Sequence, residues 1–125
     1  MPRILIVDDA PSFLLLLSTL LAERGYEVTS AAGGEEALKL LETEAPFDLM
    51  ISDINMEPIN GLKLLSKVKE SHPKMKVIML TAYETQYSCY EAERAGAFAY
   101  LPKPFRNPVL FQTVRRALES SDVVA

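Results

Sequence analysis

Five side chains spread along the sequence could do chemistry if the fold brought them together: the adjacent acids Asp8 and Asp9, the acid Asp53, the hydroxyl of Thr81 and the ammonium of Lys103. Each stands at the end of a short apolar run. Residues 4–7 precede the acidic pair, 49–52 precede Asp53, 77–80 precede Thr81, and 98–101 precede Pro102 and Lys103. Three carboxylates in one small site repel one another unless a cation neutralises them. Magnesium fits, because it prefers oxygen ligands, keeps several waters and commonly joins one or two carboxylates to a phosphate. Its charge and that of Lys103 together cancel the three carboxylates, and a phosphoryl group added to one of them would bring the site to about −1.

The elements that must position these residues alternate in hydrophobic period. Short apolar runs at 4–7, 27–31, 49–52 and 77–80, with a weaker fifth at 98–101, read as buried parallel strands. Between them lie helical stretches: 12–24, closed by Gly25; 35–43, entered through Gly33-Gly34; 62–71, stopped before Pro73; and 85–95, ended by Gly96. A last helix has Asn107 as its N-cap and Pro108 in its first turn, with Leu110, Val114, Ala117 and Leu118 on one side. Ala37, Leu38 and Leu41 form the apolar stripe of the second helix, and Leu62, Leu65 and Val68 that of the third. The fold class is therefore α/β, a doubly wound parallel sheet of five βα units. Such sheets bind ligands outside the carboxyl ends of their strands, where the five reactive side chains lie.

Composition sets the outer limits. The 125 residues, 49% hydrophobic and 24% charged, suit one domain over 1–125, with an ordered core to about residue 119 and a frayed tail at 120–125. A formal net charge of −4 argues against coating nucleic acid or an anionic membrane. The single cysteine, Cys89, excludes an intramolecular disulfide and a cysteine-based zinc cluster, and it fits the cytoplasm as the expected location. Neither a membrane span nor a signal peptide is expected, because the most apolar stretch, 10–22, is short, broken by hydroxyls and preceded by acids.

Four motifs in order, ILIVDDAP, LMISDINMEPINGL, VIMLTAY and AYLPKPF, resemble the receiver domain of two-component response regulators over essentially the whole chain. The resemblance implies the flavodoxin-like, CheY-like (βα)5 sheet with strand order 2-1-3-4-5. It makes Asp53 the phosphoacceptor, with magnesium held by Asp8, Asp9, Asp53 and the backbone carbonyl of Asn55. It gives Lys103, the Thr81 hydroxyl and the Ala82 N–H the phosphoryl oxygens to bind, and makes Thr81 and Tyr100 the switch pair. The donor would be a histidine kinase or a histidine phosphotransfer protein. The output would pass through the surface of the fourth helix, fifth strand and fifth helix, to a downstream protein, to an output domain outside this sequence, or to a homodimer partner. Hydrolysis of the acyl phosphate would reset the domain, with Asn55 and Tyr83 as neighbours that set its rate.

Taken singly, these residues have ordinary readings: Asp9 as an N-cap near Pro11, Asp53 as a turn former, Thr81 as a local hydrogen-bonder, Lys103 as a solvated charge. Together they favour the site. Tyr100 is equally readable as half-buried packing, and Lys103-Pro104 is open to either isomer. Tyr83, Tyr87 and Tyr90, with Tyr100, read as an aromatic docking face or as packing. His72 reads as a capping or solvated residue and Cys89 as an inert one. The family's proline four residues after the acceptor is replaced here by Glu57, with Pro58 next, so Glu57 faces solvent or reaches the metal. Two other functions compete. A magnesium phosphatase of the haloacid-dehalogenase type would need D-x-D on the first strand, which Asp8-Asp9 does not supply. A docking module with a decayed site would not need all five reactive residues.

Overall fold

Alternation along each strand decides which side of the sheet its residues serve. The computed structural model describes residues 2–44, 46–56, 59–82 and 86–119, except the side chains of 86–89. Its elements run β1 (Arg3–Val7), α1 (Pro11–Glu23), β2 (Glu27–Ala31), α2 (Gly34–Thr43), β3 (Leu49–Asp53), α3 (Gly61–Ser71), β4 (Lys76–Thr81), α4 (Gln86–Arg94), β5 (Ala99–Pro102) and α5 (Asn107–Glu119). All strand pairs are parallel and the order is β2-β1-β3-β4-β5, as the resemblance implies. Ile4, Ile6, Leu49, Ile51, Ile78 and Leu80 face α1 and α5, where Leu17, Leu21, Leu110 and Val114 complete one buried layer. Leu5, Val7, Met50, Val77 and Met79 face the opposite layer, made by Ala37, Leu41, Leu64, Leu65, Val68 and Ala92 of α2, α3 and α4. Every central strand is covered on both faces, so its apolar run is nearly continuous.

Most element ends fall within a residue or two of the sequence reading, the usual uncertainty of helix and strand termini. Three details differ. The Arg106 carbonyl accepts from Val109 and Leu110, so Asn107 is the first helical residue of α5 and not its N-cap. Leu64 joins Leu65 and Val68 as fully buried, while Leu62 is half-buried and packs against the same cluster from its edge. Ala10 caps α1 with no side-chain bond, so Asp9 is not an N-cap. Gly25 takes φ +89, which lets the chain leave α1 and turn into β2. His72 does end α3: its N–H donates to the Val68 carbonyl at 2.6 Å, and its Nδ1 lies 3.0 Å from the Ser71 hydroxyl. Glu57, Pro58, Tyr83, Thr85, the side chains of Tyr87 and Cys89, and the tail at 120–125 lie outside the described residues. No helix among the described residues is long and apolar enough to cross a membrane.

Candidate functional site

Strand register assembles the reactive residues. Val7 pairs with Ser52, so Asp8 and Asp53, one residue further on, lie side by side at the carboxyl end of the sheet. Asp53 pairs with Leu80, which brings Thr81 next, and Thr81 pairs with Pro102, which brings Lys103 next. Parity separates them into two groups. Asp8, Asp53 and Lys103 continue the series facing α1 and α5, whereas Thr81 continues the series of Val77 and Met79 facing the other layer. Half-buried Tyr100 packs on that second layer too. The charged centre and the proposed switch pair thus sit on opposite faces of one sheet edge.

The charged centre is buried. Asp8 is 2% exposed and Asp53 7%. Lys103 Nζ donates to Asp8 Oδ2 at 2.8 Å and lies 3.7 Å from Asp53 Oδ2. Asp8 Oδ1 accepts the Ala10 N–H at 2.9 Å. Asp53 Oδ1 is buried with no hydrogen-bond partner among the described residues. Burial pushes the Asp53 carboxyl above its ordinary range; Lys103 opposes the shift, Asp8 adds to it, and the backbone amides of Asn55 and Ile54 oppose it, without reversing the outcome. A buried acceptor left without a donor is costly unless something outside the chain meets it.

A cation does so naturally. Asp8, Asp9 and Asp53 each bring one carboxylate oxygen within 4.8 Å of the others, and Asp9, exposed, keeps the group open to solvent. The donors are all oxygen, and each engaged Asp8 oxygen keeps a second lone pair. The residues present fit magnesium by donor type and by the unmet demand at Asp53 Oδ1.

Asn55 does something that its sequence position did not disclose: its side chain reaches across the sheet and Nδ2 donates to Thr81 Oγ1 at 2.7 Å. It thereby links the acidic loop to the other face of the sheet edge. Ala82 follows Thr81 and is exposed. Lys103 N donates to the Thr81 carbonyl at 2.7 Å, and the Lys103-Pro104 bond is cis. Tyr90 is exposed, with the Arg94 guanidinium carbon 5.6 Å from its ring centroid.

Three supporting residues were not singled out from the sequence. Phe13 of α1 lies under the lysine, its ring centroid 3.9 Å from Nζ, and Phe105 packs against it edge-on at 6.1 Å. Gly61 allows α3 to begin against the end of β3: its N–H donates to the Ile54 carbonyl at 2.7 Å, and a Cβ there would collide with the Asp53 carbonyl oxygen. In the sequence it stands just before the helical stretch 62–71, with nothing to mark it.

The sequence matches the family described as "Response regulator receiver domain" over residues 4–115. It is 38% identical over 119 residues to the transcriptional regulatory protein GlrR of Escherichia coli K12, covering 95% of this chain and 27% of that protein, so the chain spans much less than the full length of this relative. Among solved structures, a CheY-like receiver domain protein from Methanospirillum hungatei has a TM-score of 0.91 at 36% identity, over 95% of this chain and 94% of that one. The response regulator TrrA from Thermotoga maritima, in complex with Mg2+-BeF, has a TM-score of 0.86 at 39% identity, over 94% and 100%.

Proposed function

This chain belongs to the response regulator receiver domain family, a signalling family, and we propose that its phosphorylation-dependent switching runs through Asp53 as the phosphoacceptor. The observation that carries the reading is the buried Asp53 Oδ1 without a donor among the described residues, beside two further carboxylates and a lysine. The magnesium phosphatase and the decayed docking module are not favoured by the family match.

In this reading an Asp53 oxygen attacks the phosphorus of a phosphohistidine on a kinase or phosphotransfer protein; the new O–P bond forms as the N–P bond breaks, and the imidazole nitrogen leaves with the electron pair. Asp8, Asp9, Asp53 and the Asn55 carbonyl are the groups that would hold magnesium. Bound there, the ion supplies positive charge against the phosphoryl oxygens. Lys103 moves its ammonium from Asp53 onto a phosphoryl oxygen, and the Ala82 N–H meets another. The Thr81 oxygen accepts from Asn55, and its hydroxyl is the group offered to the phosphoryl oxygens. As Thr81 turns to the phosphoryl group, Tyr100, on the same face, follows, and the α4-β5-α5 surface changes for a downstream protein, an output domain or a second copy. The domain catalyses only its own phosphorylation and the hydrolysis that resets it. Residues 1–125 act as one receiver unit, and the cytoplasm is the compartment this signalling reading implies.

Intact mass after incubation with acetyl phosphate tests the proposal. Gain of one phosphoryl group with magnesium, and none without it or in Asp53→Asn, is the expected result. Label retained in Asp53→Asn would overturn the assignment.

A further inference from the structure

An ammonium on four rotatable bonds is strongly hydrated when left free, yet the Lys103 side chain is only 18% exposed. Two of its neighbours are carboxylates, Asp8 at 2.8 Å and Asp53 at 3.7 Å. The third is the face of the Phe13 ring, 3.9 Å from Nζ, close enough for a cation–π attraction. We propose that Phe13 is a positioning residue for phosphoryl transfer, its ring face holding the Lys103 ammonium within reach of the phosphoryl group on Asp53. The inference rests on the assignment of Asp53 and Lys103 given above.

The aromatic face suits this task for a physical reason. A carboxylate fixes an ammonium through directional bonds and takes up its N–H donors. A ring face attracts the charge broadly, excludes water from one side and leaves the N–H donors for oxygen. The ammonium can therefore shift from Asp53 Oδ2 toward a new phosphoryl oxygen without leaving the ring. The placement of the face is itself determined by the site. Phe13 is in the first turn of α1, where Pro11 begins the helix and the Asp8 carboxylate accepts the Ala10 N–H. Phe105, two residues after the lysine on the same loop, sets the ring plane by edge-on packing at 77°. A leucine in place of Phe13 would fill much of the space but offer no such attraction.

Two variants separate the attraction from the packing: Phe13→Leu removes the π face and Phe13→Tyr keeps it. Labelling rate is read by intact mass across acetyl phosphate concentrations at saturating magnesium, and the Lys103 ε-methylene protons are read by NMR. Phe13→Leu is expected to slow labelling about threefold to tenfold and to abolish the upfield ring-current shift of those protons, while Phe13→Tyr stays within about twofold and keeps the shift. Equal rates for Phe13→Leu and the wild type, or equal slowing in both variants with the shift kept in tyrosine, would overturn the inference alone. A wild type that takes no label would overturn the Asp53 assignment, and this inference with it.

Discussion

At the amino end of β1, Arg3 donates through Nη1 to the carbonyls of Glu44 and Pro46 at 2.7 and 2.9 Å, pairs with Glu27 at 3.4 Å and covers the Phe47 ring at 4.6 Å, while its backbone N–H donates to Asp48. At the carboxyl end of the same strand, Asp8 and Asp53 are buried around one lysine, and one Asp53 oxygen has no partner among the described residues. The two ends of one sheet handle charge in opposite ways. The amino end gives its cation several acceptors and leaves it partly in water, an arrangement in which the charges are met within the chain. The carboxyl end concentrates like charge and leaves hydrogen-bonding and metal-binding capacity unfilled, which is the physical mark of a site that waits for a ligand.

The largest expected effect removes the scaffold of the carboxyl end. Gly61→Ala puts a Cβ into the Asp53 carbonyl, and a loss of about 3 kcal/mol in urea unfolding is expected; a loss under about 1 kcal/mol would mean that α3 is not held against β3 there. Next, the two cations are compared directly in metal-free buffer. Lys103→Met, which strands two buried carboxylates, should cost about 2 kcal/mol, discounted because the lysine is partly exposed, against about 1 kcal/mol for Arg3→Met. Equal costs would erase the contrast between the ends.

A smaller effect has the opposite sign. The Asp53 carboxyl is raised above its ordinary value of 3.8, chiefly by burial, so protonation favours the folded chain. That contribution is fully present below the unfolded pKa and is lost as pH rises through the folded one. Asn has no proton to lose, so metal-free Asp53→Asn should unfold at higher urea than the wild type at neutral pH, with the gap closing as pH falls through the raised value. A gap independent of pH would remove burial as its cause. Smallest of all, Asn55→Ala deletes the 2.7 Å donor to Thr81 and should cost about 0.5 kcal/mol by the same denaturation measurement.

Much of this was legible in the sequence for a definable reason. A strand buried on both faces must be a continuous apolar run, so the residues that follow Val7, Ser52, Leu80 and Pro102 could be identified as neighbours before any coordinates. What stayed hidden depends on side-chain direction across elements distant in sequence. Phe13 reads as one more apolar residue of an amphipathic helix, and only the packing of the Lys103 loop on α1 turns its ring into a cation contact. Asn55 could be placed beside Asp53, but that its amide turns to Thr81 is visible only in the fold. Gly61 precedes the helical stretch 62–71 without any mark in the sequence, and its necessity comes from the Asp53 carbonyl behind it. Asn107 failed as a cap because one carbonyl upstream took the first helical bonds.

We assign the phosphoryl group to the Asp53 carboxylate, which has one oxygen without a partner among the described residues. Borohydride reduction converts an aspartyl phosphate to homoserine, so reduction after labelling with acetyl phosphate and magnesium, followed by peptide mass mapping, tests it most directly. Conversion confined to residue 53 is the expected result. Conversion at Asp8, Asp9 or another acid, with residue 53 intact, would contradict it.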